Sequence, residues 1–219
     1  KNGSINISPS GEENMPIWQK FKQSGKKAGC VTTVPITHAT PAGFTVAMKS
    51  RNDQAAIAEE YLRIGYDVLM GGGQQYFDEA SRKDKKDLYA AFEKQNYFVA
   101  KTKSSLNNIP SDKKILGVFD YDGLPYQIDR EQSNDLTSKI PTLAEMTNVA
   151  INQMKDHKKG FVLQVESGKV DWAAHANDVA ALIHEQLQFE EALKVAMDFA
   201  AKDGNTLVVI TTDHGNANP

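Results

Sequence analysis

Apolar and polar positions follow two rhythms along the chain, one typical of strands and one typical of helices. Consecutive apolar or β-branched residues occur in short runs at 26–36, 66–73, 97–100, 115–119, 161–165 and 206–212. Apolar residues three or four positions apart occur at 53–64, 83–95, 142–157 and 178–201, and Pro16 opens a further short helix. The first pattern predicts buried strands and the second predicts amphipathic helices.

Strands and helices therefore alternate, and the strands are apolar on both faces. This combination is typical of an α/β fold with a mostly parallel sheet flanked by helices on both faces. The length of 219 residues predicts a single domain over 1–219. One stretch, 120–140, is polar and irregular in pattern, which predicts a surface excursion or lid.

Composition and charge exclude several classes of protein. The formal net charge of −3 argues against a nucleic-acid binder, which usually carries a basic balance or patch. The apolar runs are too short to predict a membrane span. The single cysteine, Cys30, excludes an intrachain disulfide and a cysteine zinc cluster, and its apolar surroundings predict a buried side chain. The chain begins with Lys1 and shows no signal peptide, so its start does not indicate a compartment.

Polar side chains follow three of the predicted strands. Parallel sheets of this class place their functional groups beyond the carboxyl ends of the strands, so we expect these side chains to converge at one edge. They are Thr37, His38 and Thr40 after the first strand, Glu166, Asp171 and His175 after the strand at 161–165, and Asp213 and His214 after 206–212.

The spacing of Asp171 and His175 favours the binding of one metal ion by both side chains. Residues four apart are neighbours on a helical turn, so both side chains can reach one point. A carboxylate and an imidazole without cysteine suit zinc or a similar divalent ion, whereas Glu166 and Thr40 offer the harder oxygen ligands that suit magnesium. Taken alone, an Asp–His pair at this spacing is more often a surface contact.

The adjacent pair Asp213 and His214 is more ambiguous. Successive side chains diverge in an extended backbone, so the two residues predict ligands of two ions, or of one ion and its surroundings. Alone, such a pair after a strand is more often a cap or a turn. Arg51 is in turn either a surface cation or a clamp for an anion.

Three sequence blocks together resemble the alkaline phosphatase family. They are VTTVPITHATPAGF (31–44), QVESGKVDWAAHAND (164–178) and GNTLVVITTDHGNANP (204–219), and the resemblance covers nearly the whole chain. It implies a three-layer sandwich of the alkaline phosphatase type, with two Zn²⁺ and one Mg²⁺ as cofactors. The residues that it implies as metal ligands are Asp171 and His175 for the first zinc, Asp213 and His214 for the second zinc, and Glu166 and Thr40 for magnesium.

The resemblance also gives roles to three residues beside the metal ligands. Arg51, eleven residues after Thr40, matches the arginine that clamps phosphate, for which a bidentate guanidinium is well suited. Its place implies the end of the helix that Thr40 begins as its N-cap. His38 and Trp172 take positions that are aspartate and lysine in the enteric-bacterial form. This His/Trp combination is similar to the marine and cold-adapted bacterial branch, where both residues lie beside the third metal.

The resemblance further implies features outside these 219 residues. The nucleophilic serine of a T-D-S-A-type motif is expected upstream of Lys1, together with an aspartate that bridges two of the metals. A further histidine of the first zinc is expected beyond Pro219. The sequence therefore resembles the central portion of an alkaline phosphatase, incomplete at both ends, and the isolated chain is predicted to be inactive.

For the full-length protein, the resemblance implies hydrolysis of phosphate monoesters through a phosphoserine intermediate. It also implies small phosphomonoesters and inorganic phosphate as ligands, a homodimer, and a periplasmic or secreted location. Two other interpretations stay open at this point. One is a non-catalytic fragment or a module that only binds metal or phosphate, and the other is a related phosphodiesterase, sulfatase or phosphomutase.

Overall fold

A five-stranded parallel sheet forms the centre of the computed structural model, which describes residues 2–216. The strands are β1 (Lys27–Pro35), β2 (Val68–Gly72), β3 (Tyr97–Ala100), β4 (Lys114–Val118) and β5 (Phe161–Glu166). They lie in the order β3-β4-β2-β1-β5, and every pair is parallel. The helices are α1 (Ile17–Gln23), α2 (Ala39–Thr45), α3 (Gln54–Ile64), α4 (Leu88–Lys94), α5 (Gln127–Glu131), α6 (Asn134–Lys139), α7 (Leu143–Met154), α8 (Gly168–His175) and α9 (Val179–Asp203). The predicted α/β class is confirmed.

Helices cover both faces of the sheet, as the apolar strands predicted. Alternate strand residues such as Cys30 and Leu69 pack with α1, α3 and α4 in one core. Their neighbours Val31 and Met70 pack with α7 and α9 in the other core. Side chains of a strand point alternately to its two faces, so a strand between two helical layers must be apolar at nearly every position.

Local sequence signals define where the principal helices begin and end. Asp87 and Asp178 accept hydrogen bonds from backbone amides in the first turns of α4 and α9. Thr142 and Glu145 form a reciprocal capping box at the start of α7. Gly204 ends α9 in the left-handed region, at φ 68°, where a glycine has no steric penalty.

The predicted strand at 206–212 is wrong for the described structure. Residues 205–212 form neither helix nor strand, and Leu207 and Val209 are 86% and 72% exposed. A strand needs a neighbouring backbone to complete its hydrogen bonds, and within the described part of the chain β5 pairs only with β1. Apolar β-branched composition alone therefore did not produce a strand here.

Three other expectations need correction. The helix predicted at 83–95 begins only at Leu88, because Asp87 caps it. The stretch 120–140 is not irregular throughout, since it contains α5 and α6 and packs on α9. Thr40 lies inside α2 and not at its N-cap, a position that His38 occupies.

Arg51 also differs from its expected place. Helix α2 ends at Thr45, so Arg51 lies in the turn before α3 and not at a helix end. Its side chain is exposed, and its backbone amide donates to the Gly3 carbonyl at 2.8 Å. Over residues 2–216, no helix combines the length and apolar character that a bilayer span requires.

Candidate metal and phosphate site

Glu166 lies at the carboxyl end of β5, where β1 holds its carboxylate. The strand register places Thr32 of β1 beside Glu166, and the Thr32 hydroxyl donates to Glu166 Oε2 at 2.6 Å. The Thr40 hydroxyl makes a second hydrogen bond to this carboxylate. Burial raises the pKa of Glu166 to about 7, and the negative charges of Asp213 and Asp171 act in the same direction against the two hydrogen bonds.

Asp171 lies beside both histidines that the sequence predicted as metal ligands. It lies one turn before His175 on α8, and His175 Nε2 is 3.4 Å from Asp171 Oδ1. His214 Nε2 lies 3.8 Å from the same oxygen and 3.6 Å from Asp213 Oδ2. Asn216 donates to Asp171 Oδ1 at 2.6 Å. The structure thus brings Asp171, His175, Asp213 and His214 together, even though no strand precedes Asp213, whereas the Thr37 hydroxyl donates to Gln54 Oε1 at 2.8 Å.

His38 and Trp172 lie together beside this group. Their rings meet edge to face, with centroids 6.0 Å apart. Burial lowers the pKa of His38, and the positive charge of Arg51 lowers it further, while Asp171 and Asp122 oppose the shift. The Nδ1 atom of His38 is buried, and no hydrogen-bond partner for it lies among the described residues. A buried polar atom without a partner is costly, so this nitrogen is available to a ligand.

The donor set suits divalent cations. Two imidazoles, of His175 and His214, lie beside the Asp171 carboxylate, and Asp213 lies beside His214. The negative charges of Asp171 and Asp213 disfavour a charged Glu166, and a bound cation would offset that effect. Within residues 2–216, however, no three His, Cys, Asp or Glu side chains are arranged as a closed metal site. The residues therefore fit the chemistry of a metal centre, and the donors are gathered without being in coordination geometry.

Sequence reasoning missed three residues of this region. Thr32 and Asn216 hold the carboxylates of Glu166 and Asp171. Lys169, on the first turn of α8, lies buried beside Trp172 with its ammonium 4.6 Å from the indole centroid. A hydroxyl residue in the apolar strand at 26–36 was a signal for Thr32, whereas nothing in the sequence distinguishes Lys169 from a surface lysine.

The sequence model of the alkaline phosphatase family matches residues 1–218 of this chain. The chain belongs to the alkaline phosphatase family. It is 41% identical to alkaline phosphatase 3 of Bacillus subtilis over 220 aligned positions, which cover 97% of this chain and 45% of that relative. The chain thus spans less than half the length of that relative, and the resemblance seen in the three sequence blocks is confirmed.

Solved structures of the family share the fold. The alkaline phosphatase of Thermus thermophilus superimposes with a TM-score of 0.87 at 39% identity, over 93% of this chain and 42% of that one. A variant of the alkaline phosphatase of the Antarctic bacterium TAB5, solved with Mg bound in its M3 site, superimposes with a TM-score of 0.80 at 29% identity, covering 93% of this chain and 56% of that one. Enzymes of this family are metal-dependent.

Proposed function

We propose that the complete protein containing this chain hydrolyses phosphate monoesters, with divalent cations held by Asp171, His175, Asp213, His214, Glu166 and Thr40. The observation that carries this proposal is the convergence of His175, His214 and Asn216 on the Asp171 carboxylate, a short distance in sequence from Glu166. Two Zn²⁺ and one Mg²⁺ are the ions that the family resemblance implies. When bound, they would supply positive charge for the phosphate oxygens and lower the pKa of a water or hydroxyl nucleophile.

The residues of this chain would have separate tasks in that reaction. Arg51 would orient the phosphate through its guanidinium, which presents paired N–H donors to two oxygens. Its exposed position in the turn before α3 leaves those donors accessible to a ligand. His38, whose pKa is lowered, would stay neutral down to a lower pH than an ordinary histidine and present a ring nitrogen without adding positive charge. Thr32 and Asn216 would hold Glu166 and Asp171 in place.

The finer parts of the proposal concern chemistry outside these residues. A phosphoserine intermediate would form on a serine contributed by another part of the protein, and the isolated chain would lack turnover. We also propose a homodimer in a periplasmic or secreted location, which light scattering and cell fractionation would test.

The function is tested by comparing three chromogenic substrates with the complete gene product. We expect hydrolysis of p-nitrophenyl phosphate, loss of this activity after chelation, and its return with Zn²⁺ and Mg²⁺. Faster hydrolysis of bis-p-nitrophenyl phosphate or p-nitrophenyl sulfate would reassign the site to a phosphodiesterase or sulfatase. Metal binding without turnover of any substrate would indicate a non-catalytic binding module.

The role of Arg51 has its own test in the same protein. Arg51→Lys keeps the charge and loses the paired donors, so inhibition by inorganic phosphate should weaken by about 10-fold or more. Lys49→Gln removes another exposed cation nearby and serves as the control. Equal phosphate inhibition in Arg51→Lys and wild type would remove Arg51 from the site.

A further inference from the structure

Lys169 is a buried lysine whose ammonium lies between two aromatic rings. Its side chain is only 6% exposed. The Nζ atom is 3.7 Å from the ring centroid of Tyr126 and 4.6 Å from that of Trp172. Removing an ammonium from water is costly, and the electron-rich faces of two rings offset part of that cost. The negative charges of Glu185, Asp122 and Asp120 also favour the charged form of Lys169, so carboxylates and rings together hold an ammonium at this position.

The two rings belong to different parts of the fold. Tyr126 ends the loop 120–126, which is tied to the sheet by a hydrogen bond from Leu124 N to Thr33 O at 2.8 Å. Trp172 lies on α8 directly after Asp171. The backbone amide of Lys169 donates to the Thr33 hydroxyl at 3.0 Å, so the loop that leads to Tyr126 and the first turn of α8 are anchored at the same residue of β1.

Trp172, which is half-buried, has two further neighbours. A methyl group added at Gly123 would lie 2.9 Å from the indole Cζ3 atom, so the loop backbone packs directly against the ring. The second neighbour is the His38 ring, at 6.0 Å between centroids. Lys169, the loop 120–126 and His38 therefore all contact the indole.

We propose that Lys169 is a positioning residue of the candidate site. Its ammonium holds the loop 120–126 and the Trp172 indole together, and the indole in turn fixes the His38 ring and the helical turn that carries Asp171. The part of this inference that concerns hydrolysis rests on the proposed function. The part that concerns the orientation of Trp172 does not.

A spectroscopic test uses the two tryptophans of the chain. Trp18→Phe leaves Trp172 as the single indole of these 219 residues, and Trp172→Phe in the complete gene product gives the signal of any other indole to subtract, so the difference in near-UV circular dichroism and acrylamide quenching reports on that ring alone. In this background we expect Lys169→Met, which keeps the length of the stem, to weaken the near-UV band and to raise the quenching constant about 2-fold or more. Lys169→Arg, which keeps the charge, should retain both signals.

Tyr126 supplies a matched pair of variants that leaves Lys169 unchanged. Tyr126→Phe retains the ring and should behave as wild type, whereas Tyr126→Leu removes the ring and should reproduce the Lys169→Met signals. This pair decides the question if Lys169→Met fails to fold. Signals in Lys169→Met and Tyr126→Leu equal to those of their conservative partners, with far-UV spectra unchanged, would overturn the proposal.

The same variants in the complete gene product test the consequence for hydrolysis. We expect kcat/KM for p-nitrophenyl phosphate to fall roughly 3- to 30-fold in Lys169→Met and Tyr126→Leu, and to recover in Lys169→Arg and Tyr126→Phe. If the wild type is active and Lys169→Met has the same kcat/KM, the positioning role of Lys169 is refuted and the proposed function is not. Absence of activity in the wild type would instead refute the proposed function, while the spectroscopic result would still decide the orientation of Trp172.

Discussion

Gly72→Ala tests how closely the loop 120–126 is attached to the sheet. Gly72 ends β2, and a methyl group at this position would overlap the Asp122 carbonyl oxygen and lie 3.0 Å from the Asp122 carbonyl carbon. Real Cβ atoms essentially never lie within 3.0 Å of another heavy atom, so the overlapping Asp122 oxygen would have to move by more than about 1 Å. The obstacle is backbone and not the end of a flexible side chain, so no rotamer change relieves the overlap.

The cost of this movement can be estimated from the bonds that hold the loop. Overpacking a well-filled site costs about 1–3 kcal/mol. The displaced loop would also strain the bonds from Gly73 N and Gln74 N to Asp120 O, at 3.1 and 2.9 Å. Each such bond contributes about 1 kcal/mol, so weakening the two bonds by about half adds about 1 kcal/mol, and the free energy of unfolding should fall by about 2–4 kcal/mol in total.

Urea denaturation followed by circular dichroism measures this change. Gly43→Ala is a matched control, because Gly43 lies in α2 and no atom lies within 4 Å of the position of its added methyl. We expect this control to be neutral or to stabilise the protein by up to ~1 kcal/mol through helix propensity. If the free energy of unfolding of Gly72→Ala lies within about 0.5 kcal/mol of the wild-type value, at an unchanged denaturant slope, the close attachment of the loop is refuted.

Three further predictions concern buried polar groups elsewhere. Arg82 is buried and donates to two backbone carbonyls, those of Ala55 and Tyr76, so Arg82→Met should lower the free energy of unfolding by about 3 kcal/mol in urea denaturation, and a loss below ~1 kcal/mol would contradict this role. Burial raises the pKa of the Cys30 thiol, so a thiol reagent should label native protein at least roughly 100-fold more slowly than denatured protein, and rapid native labelling would contradict the packed core. Burial also raises the pKa of Glu185, so the folded state retains a proton that the unfolded state releases, and wild-type stability falls as pH rises from the usual glutamate range through the raised pKa. Glu185→Gln should therefore gain stability relative to wild type over that window, and a pH-independent difference in denaturation midpoints would refute this linkage.

The sequence predicted the sheet well where two independent signals agreed. Strands β1 and β5 are apolar on both faces and lie between helices with a clear period, so their type and place followed from pattern alone. The run at 206–212 had the same composition and still formed no strand, because strand formation also depends on a neighbouring backbone that composition does not reveal.

The candidate site was predictable for a different reason. The four-residue spacing of Asp171 and His175 survives any error in helix bounds, and the structure places His214 beside them. The supporting residues were not predictable, because Thr32 reaches Glu166 only through the register of β1 and β5. Lys169 likewise acquires its partners through the docking of a loop from another part of the chain.

The central claim is that Asp171 binds a metal ion on which phosphate monoester hydrolysis depends. Asp171→Asn in the complete gene product tests this claim most directly. Removing a charged ligand should lower the bound zinc measured by elemental analysis and reduce kcat/KM for p-nitrophenyl phosphate by about 100-fold or more. Asp198→Asn, which alters an exposed carboxylate of α9 paired with Lys194, should leave both unchanged. Full zinc content together with wild-type kcat/KM in Asp171→Asn would contradict the account.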